Sequence, residues 1–184
     1  MNKFAYLVAA SALAVSAFGQ GQINLNNRGL ALVNDSTGKP LTGTSFVAQV
    51  LYGADANSLT KSFAPSPFRA STTTYPGTWN PAATGGPGAI ATLEGFAPGS
   101  TVTLQVAVWD SAKFATWAAA KGQASTGLSA AFTYAIPADP LAIPGGMENL
   151  KSFNLSAGGT VVPEPTTIAL GAIGAAALLW RRRK

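Results

Sequence analysis

Thr101–Asp110 reads TVTLQVAVWD, and this run decides the fold. Val102, Leu104, Val106 and Val108 fall on one face of an extended chain, with Thr101, Thr103, Gln105, Ala107 and Trp109 on the other. Alternation with a period of two in a run rich in β-branched residues predicts a strand. The unbroken apolar face makes it the centre of the core, and the mixed second face suits a sheet only partly covered on that side. Residues 44–52, TSFVAQVLY, repeat the pattern: Phe46, Ala48, Val50 and Tyr52 face one way, Val47, Gln49 and Leu51 the other.

Outward from these two runs the signals are shorter. Residues 22–27 alternate Ile23 and Leu25 with polar neighbours, and residues 30–33 extend that strand past a bend at Gly29. Residues 34–40, NDSTGKP, are turn chemistry throughout. Residues 61–69 contain Pro65 and Pro67, and each proline removes a ladder donor, so this strand belongs at an edge. Further strands are expected at 89–93, 127–134 and 149–155, the last two separated by IPADPLAIPGG (136–146), whose three prolines make a rigid connector. Residues 111–122, SAKFATWAAAKG, predict a helix of two to three turns across one end of the sheets, with Ser111 as cap and Gly122 as terminator. The expected fold is all-β: a single antiparallel β-sandwich of about seven strands with one short helix, spanning residues 20–155. A Greek-key barrel is the alternative. A flexible spacer follows at 156–162.

Composition narrows the chemistry. The chain has no Cys and no His, which removes thiolate nucleophiles, imidazole bases, zinc sites and haem ligation. The formal charge of +5 suggests a polyanion partner until position is considered. Lys3 and the cluster Arg181, Arg182, Arg183 and Lys184 lie at the two ends; residues 20–160 hold seven cations against six anions. That middle is close to neutral with scattered charges, so no nucleic acid is expected as a partner, and no cofactor, metal or catalytic set.

The two ends carry separate signals. Residues 1–19 have Lys3 as a short positive region, an apolar stretch from Phe4 to about Val15, and the small residues Ala17 and Gly19 at the positions a signal peptidase requires. This predicts an N-terminal signal helix, cleaved to leave a mature start near Gln20. At the other end, residues 161–184 read VVPEPTTIALGAIGAAALLWRRRK. The 15 uncharged residues 166–180 would form a transmembrane helix of roughly 22 Å at about 1.5 Å per residue, short of the ~30 Å hydrocarbon core. Trp180 at the interface, snorkelling cations and local bilayer thinning make up the difference. The four terminal cations act as the stop-transfer tail and keep that end cytoplasmic, which places the body of the protein outside.

Pro163, Glu164 and Pro165, the apolar run and the terminal basic cluster, together with the N-terminal signal, resemble the PEP-CTERM sorting signal of Gram-negative bacteria. The resemblance covers residues 163–184. It implies recognition of the Pro-Glu-Pro motif by an exosortase, a membrane-embedded cysteine transpeptidase-like enzyme that cuts near it. It also implies passage from an inner-membrane-anchored precursor, with its domain in the periplasm, to the cell surface or extracellular matrix, in exopolysaccharide contexts. Two prolines flanking Glu164 keep the segment extended and poor in backbone donors, a form readable at the membrane face. The middle is similar to short domains that accompany this signal, through GQINLNN (21–27) and the Ala-x-Trp-Asp of residues 107–110.

For the body the leading expectation is a non-enzymatic surface or matrix protein. A carbohydrate-binding module would need an exposed aromatic platform, for which Tyr75, Trp79 and Trp117 are the candidates. The reading preferred for all three is as apolar plugs and packing. A glycan-active enzyme would need two carboxylates about 5 to 10 Å apart in a cleft, and convergence of Asp35, Asp110 and Asp139 would point to calcium or catalysis. A membrane protein anchored by its C-terminal helix and never processed is the remaining reading.

Overall fold

The computed structural model describes residues 20–81, 89–139 and 141–157. The signal peptide expected at 1–19, with Ala17 and Gly19, lies outside them, as does the sorting segment with its motif, its helix at 166–180 and its basic tail. Among the described residues no helix is long and apolar enough to cross a membrane.

The described chain is mostly strand. In order come β1 (Gly21–Asn24), β2 (Val33–Asn34), β3 (Phe46–Gly53), β4 (Lys61–Ser62), β5 (Ser66–Pro67), β6 (Ile90–Leu93), β7 (Thr101–Asp110), α1 (Trp117–Ala120), β8 (Gly127–Leu128), β9 (Phe132–Ala135) and β10 (Phe153–Asn154). β3 and β7 pair antiparallel along their whole shared length, from Phe46 opposite Asp110 to Gly53 opposite Thr103. β4 and β5 flank β3 on one side, and β8 and β9 flank β7 on the other, completing a six-stranded sheet. β1 with β6 forms an antiparallel ribbon, and β2 with β10 a parallel one.

One face of the β3–β7 pair supplies Ala48, Val50, Tyr52, Val102, Leu104, Val106 and Val108 to a single core, joined by Ile23, Val33 and Leu93 from the ribbons and by Met147, Leu150 and Leu155. The opposite face buries a smaller cluster of Val47, Ala107, Trp109 and Ala120, with Phe114 and Trp117 packed against it. The alternation in TVTLQVAVWD therefore sorts its side chains into two cores of unequal size, each position dictated by the pleat.

Both edges of the sheet shift register by one residue. Along β3, Val47 lies opposite Pro67 in β5, yet Leu51 lies opposite Ser62 in β4, so the edge carries one extra residue around Pro65. Gln49 patches the gap: its Nε2 donates to Ser62 Oγ (3.1 Å) and to the Phe63 carbonyl (2.9 Å). Along β7, Ala107 faces Leu128 in β8 but Leu104 faces Phe132 in β9, again one residue more on the edge. There the Val106 N–H donates to Ser129 Oγ (2.9 Å), while Ser129 N–H donates back to the Val106 carbonyl (2.9 Å). These are β-bulges whose interrupted ladders are completed by side chains.

Four expectations are corrected here. The strand foreseen at 127–134 is broken at the Ser129 bulge, and the one foreseen at 61–69 is broken around Pro65, so ten short strands replace about seven among the described residues. The sheets are not wholly antiparallel, because β2 and β10 run parallel, supported by Asn34 Nδ2 donating to Asn154 Oδ1 (2.9 Å). The helix is one turn rather than two to three. It is capped by Thr116, whose Oγ1 accepts from the Ala119 N–H, while the Ser111 hydroxyl donates to the Ser45 carbonyl instead. Its start is delayed because the Trp109 indole N–H takes the Phe114 carbonyl (2.9 Å), the acceptor a longer helix would need. It also lies against the outer face of β7 rather than across the sheet ends.

Candidate functional site

The three candidate aromatic residues lie in different environments. Trp79 is 1 % exposed: its indole N–H donates to the Leu25 carbonyl (2.8 Å) and its ring meets Phe68 edge to face at 6.0 Å. A buried ring cannot stack on a sugar, so Trp79 leaves the candidate platform and is a core residue. Tyr75, 43 % exposed, has the Arg28 guanidinium 4.2 Å from its ring centroid. Trp117 is half-buried and tilted against Trp109 at 6.1 Å, on the outer face of β7. Tyr75 lies against Arg28 and Trp117 against Trp109, and with Trp79 buried the three do not make one exposed platform.

The carboxylates are likewise dispersed. Asp35 Oδ1 accepts from Thr37 N–H (2.8 Å), Thr37 Oγ1 (2.7 Å) and Lys39 N–H (3.0 Å), and the hydroxyl of Thr37 first of all holds this carboxyl below the usual Asp range. Asp55 accepts from Asn57 N–H (2.8 Å), and Asp139 from Leu141 N–H (2.9 Å). Asp110 accepts from Ala112 N–H (3.1 Å) and pairs with Lys113 at 3.5 Å. Each of these four side chains serves the turn that carries it. Asp35 and Asp110 lie at the end of the sheet where β3 begins and β7 finishes, and Asp139 follows β9 at the opposite end, so the three do not converge. Among the described residues no three acidic side chains gather as a metal-ligand set.

The two signature segments in the body prove to be structural. In GQINLNN, Ile23 is in the main core and Asn27 is fully buried with its amide satisfied: Nδ2 donates to the Ala31 carbonyl (2.9 Å) and the Gly77 carbonyl (3.1 Å), and Oδ1 accepts from the Trp79 N–H (3.2 Å). Asn27 thus ties the first loop to the loop around Trp79, a role invisible in sequence because its partners stand about 50 residues away. In the Ala-x-Trp-Asp of residues 107–110, Ala107 and Trp109 fill the outer cluster and Asp110 closes the turn into α1. Burial raises the Tyr52 and Tyr134 phenols above their ordinary value; both are core side chains.

A depression of about 500 Å³ lies between the 34–45 loop and Pro76, lined by Pro40, Leu41, Thr42 and Phe46, with Asp35 and Lys39 at its margin. It holds one carboxylate, Asp35, and no pair of them.

No curated protein and no solved structure matches the chain. A family match falls at residues 161–184, to the PEP-CTERM protein-sorting motif, over the stretch containing Pro163, Glu164 and Pro165 and the basic residues Arg181, Arg182, Arg183 and Lys184. The chain is thus an all-β protein that contains a PEP-CTERM protein-sorting motif.

Proposed function

We propose that the chain is an exported, non-enzymatic protein of the cell surface or extracellular matrix, sorted by residues 161–184 and processed by an exosortase. The observation that carries this reading is the match of those residues to the sorting motif. In the proposed route a signal peptidase removes residues 1–19 after Gly19. The helix at 166–180 holds the precursor in the inner membrane with the body in the periplasm, and Arg181, Arg182, Arg183 and Lys184 stop its transfer. Glu164, the single charge between two prolines, is the feature for the exosortase to read. The body, proposed to be a sandwich with its six-stranded sheet as one layer and the two ribbons as an incomplete second one, has its four aspartates engaged in turns and Trp79 in its core. That disposition supports a structural or matrix role, with exopolysaccharide a candidate neighbour, over a glycan-stacking platform.

The Glu164→Ala variant is expected to be exported and to lose processing, so that intact mass and cell fractionation find an unshortened chain in the inner membrane. Mature-sized protein at the surface from this variant would sink the reading. An unshortened wild-type chain in the membrane would favour a permanently anchored protein instead.

A further inference from the structure

The body has two unlike ends. At one, Leu141 and Ile143 are 91 % and 89 % exposed, the largest exposures among the large hydrophobic side chains of the described residues. They follow β9 and sit between Pro137 and Pro144, and the turn is fixed by Asp139, whose Oδ1 and carbonyl accept from the Leu141 and Ala142 N–H groups. Two adjoining aliphatic side chains held out in water by a braced turn are unfavourable for an isolated body. At the other end lies the depression walled by Pro40, Leu41, Phe46 and Pro76.

Charge sorts the same way. Asp55, Glu94, Asp139 and Glu148 lie with the aliphatic turn, where β3 ends and β7 begins, against Lys61 and, three residues after Glu148, Lys151. Arg28, Lys39, Arg69, Lys113 and Lys121 lie toward the depression, in the loops joined through Tyr75, Gly43, Ser45 and Trp109, against Asp35 and Asp110. A body that is nearly neutral as a whole is therefore acidic and apolar-tipped at one end, and basic and apolar-hollowed at the other.

We infer that a second copy of this chain docks end to end, its Leu141 and Ile143 seated in the Pro40–Leu41–Phe46–Pro76 depression with its acidic end facing the basic one. The contact uses different patches on the two copies, so it is heterologous, and its repetition gives an open row or a ring rather than a closed two-fold dimer. Opposite end charges set the head-to-tail sense, since like ends repel.

The chain contains no Cys, so single thiols report cleanly. Full-length Leu141→Cys and full-length Thr42→Cys, mixed in detergent and oxidised, are expected to yield a disulfide-linked dimer. The doubly substituted chain is expected to yield a ladder of dimers, trimers and higher species. Raising salt from about 0.05 M to about 0.5 M should lower the yield several-fold, and adding Ile143→Ser should reduce it to the level of a Leu128→Cys control on the sheet flank. The inference is overturned if the mixture links no better than that control. It is equally overturned if Leu141→Cys alone links to itself as efficiently, which would mean a symmetric contact. Circular dichroism of each variant confirms that the fold is retained, as expected for exposed positions.

Discussion

The two faces of the β3–β7 pair are built from the same two strands and do different work. The inner face is continuous: seven aliphatic and aromatic side chains from alternate positions meet the ribbons and bury completely or nearly so. The outer face carries the smaller cluster of Val47, Ala107 and Trp109 beside α1, with Leu51 half-buried against it, and is interrupted by Gln49 and Gln105, which turn their amides to the edges: Gln49 to the Phe63 carbonyl and Gln105 to the Ser129 carbonyl (2.8 Å). Stability therefore resides on the inner face. The outer face instead positions edges, since its glutamines and Ser129 bond across both bulges where the backbone ladders are interrupted.

Truncation separates the faces most sharply. Leu104→Ala, in the middle of the inner face, is expected to cost about 3 kcal/mol in urea unfolding, through lost burial and the cavity left behind; a cost near zero would mean that the ribbons do not seal this face. Ser129→Ala leaves the Val106 N–H without its acceptor and should cost about 2 kcal/mol. Faster hydrogen exchange should appear at Val106 and along β8, because the bulge would lose its bridge. Trp117→Ala, on the outer face, should cost only about 1 kcal/mol, as a half-buried ring loses one aromatic neighbour. If it destabilised as much as Leu104→Ala, the two faces would be equal partners and the contrast would fail.

The smallest effect concerns pH. Tyr52 and Tyr134 belong to the inner core and have phenols raised above the ordinary value of 10.0 by burial. A raised folded-state value means that the neutral phenol favours the fold. That contribution is fully present below pH 10 and is lost as pH rises through the folded-state values. Ultraviolet titration should show these two ionising above pH 10 and together with a loss of stability, whereas ordinary titration near pH 10 with no unfolding would place them outside the core.

How much of this was legible depended on the range of the interactions. The two long strands, their facing, the proline-marked edge and the turn at Asp35 were readable because their causes are local: a period of two, a missing donor, a side chain bonding its own backbone. The bulges were not, since a one-residue slip is decided by which of two strands carries the extra residue, and neither strand records the other. The helix at 111–122 was overestimated because Trp109, outside it, takes the carbonyl it needed. Trp79, among Pro, Gly and Asn, reads chiefly as an apolar plug with an exposed platform as the other option, and its burial is settled only by Leu25 and Asn27 more than 50 residues earlier.

The sequence by itself determined the all-β character and the sorting motif at 161–184, because both rest on contiguous residues: a periodic pattern in one case, a linear peptide meant to be read as such in the other. Only the tertiary structure decided that Trp79 belongs to the core, that the acids disperse into separate turns, and that a nearly neutral body has one acidic, apolar-tipped end and one basic, hollowed end. Those properties arise from residues far apart in the chain, brought together by the register of a sheet that no single stretch specifies.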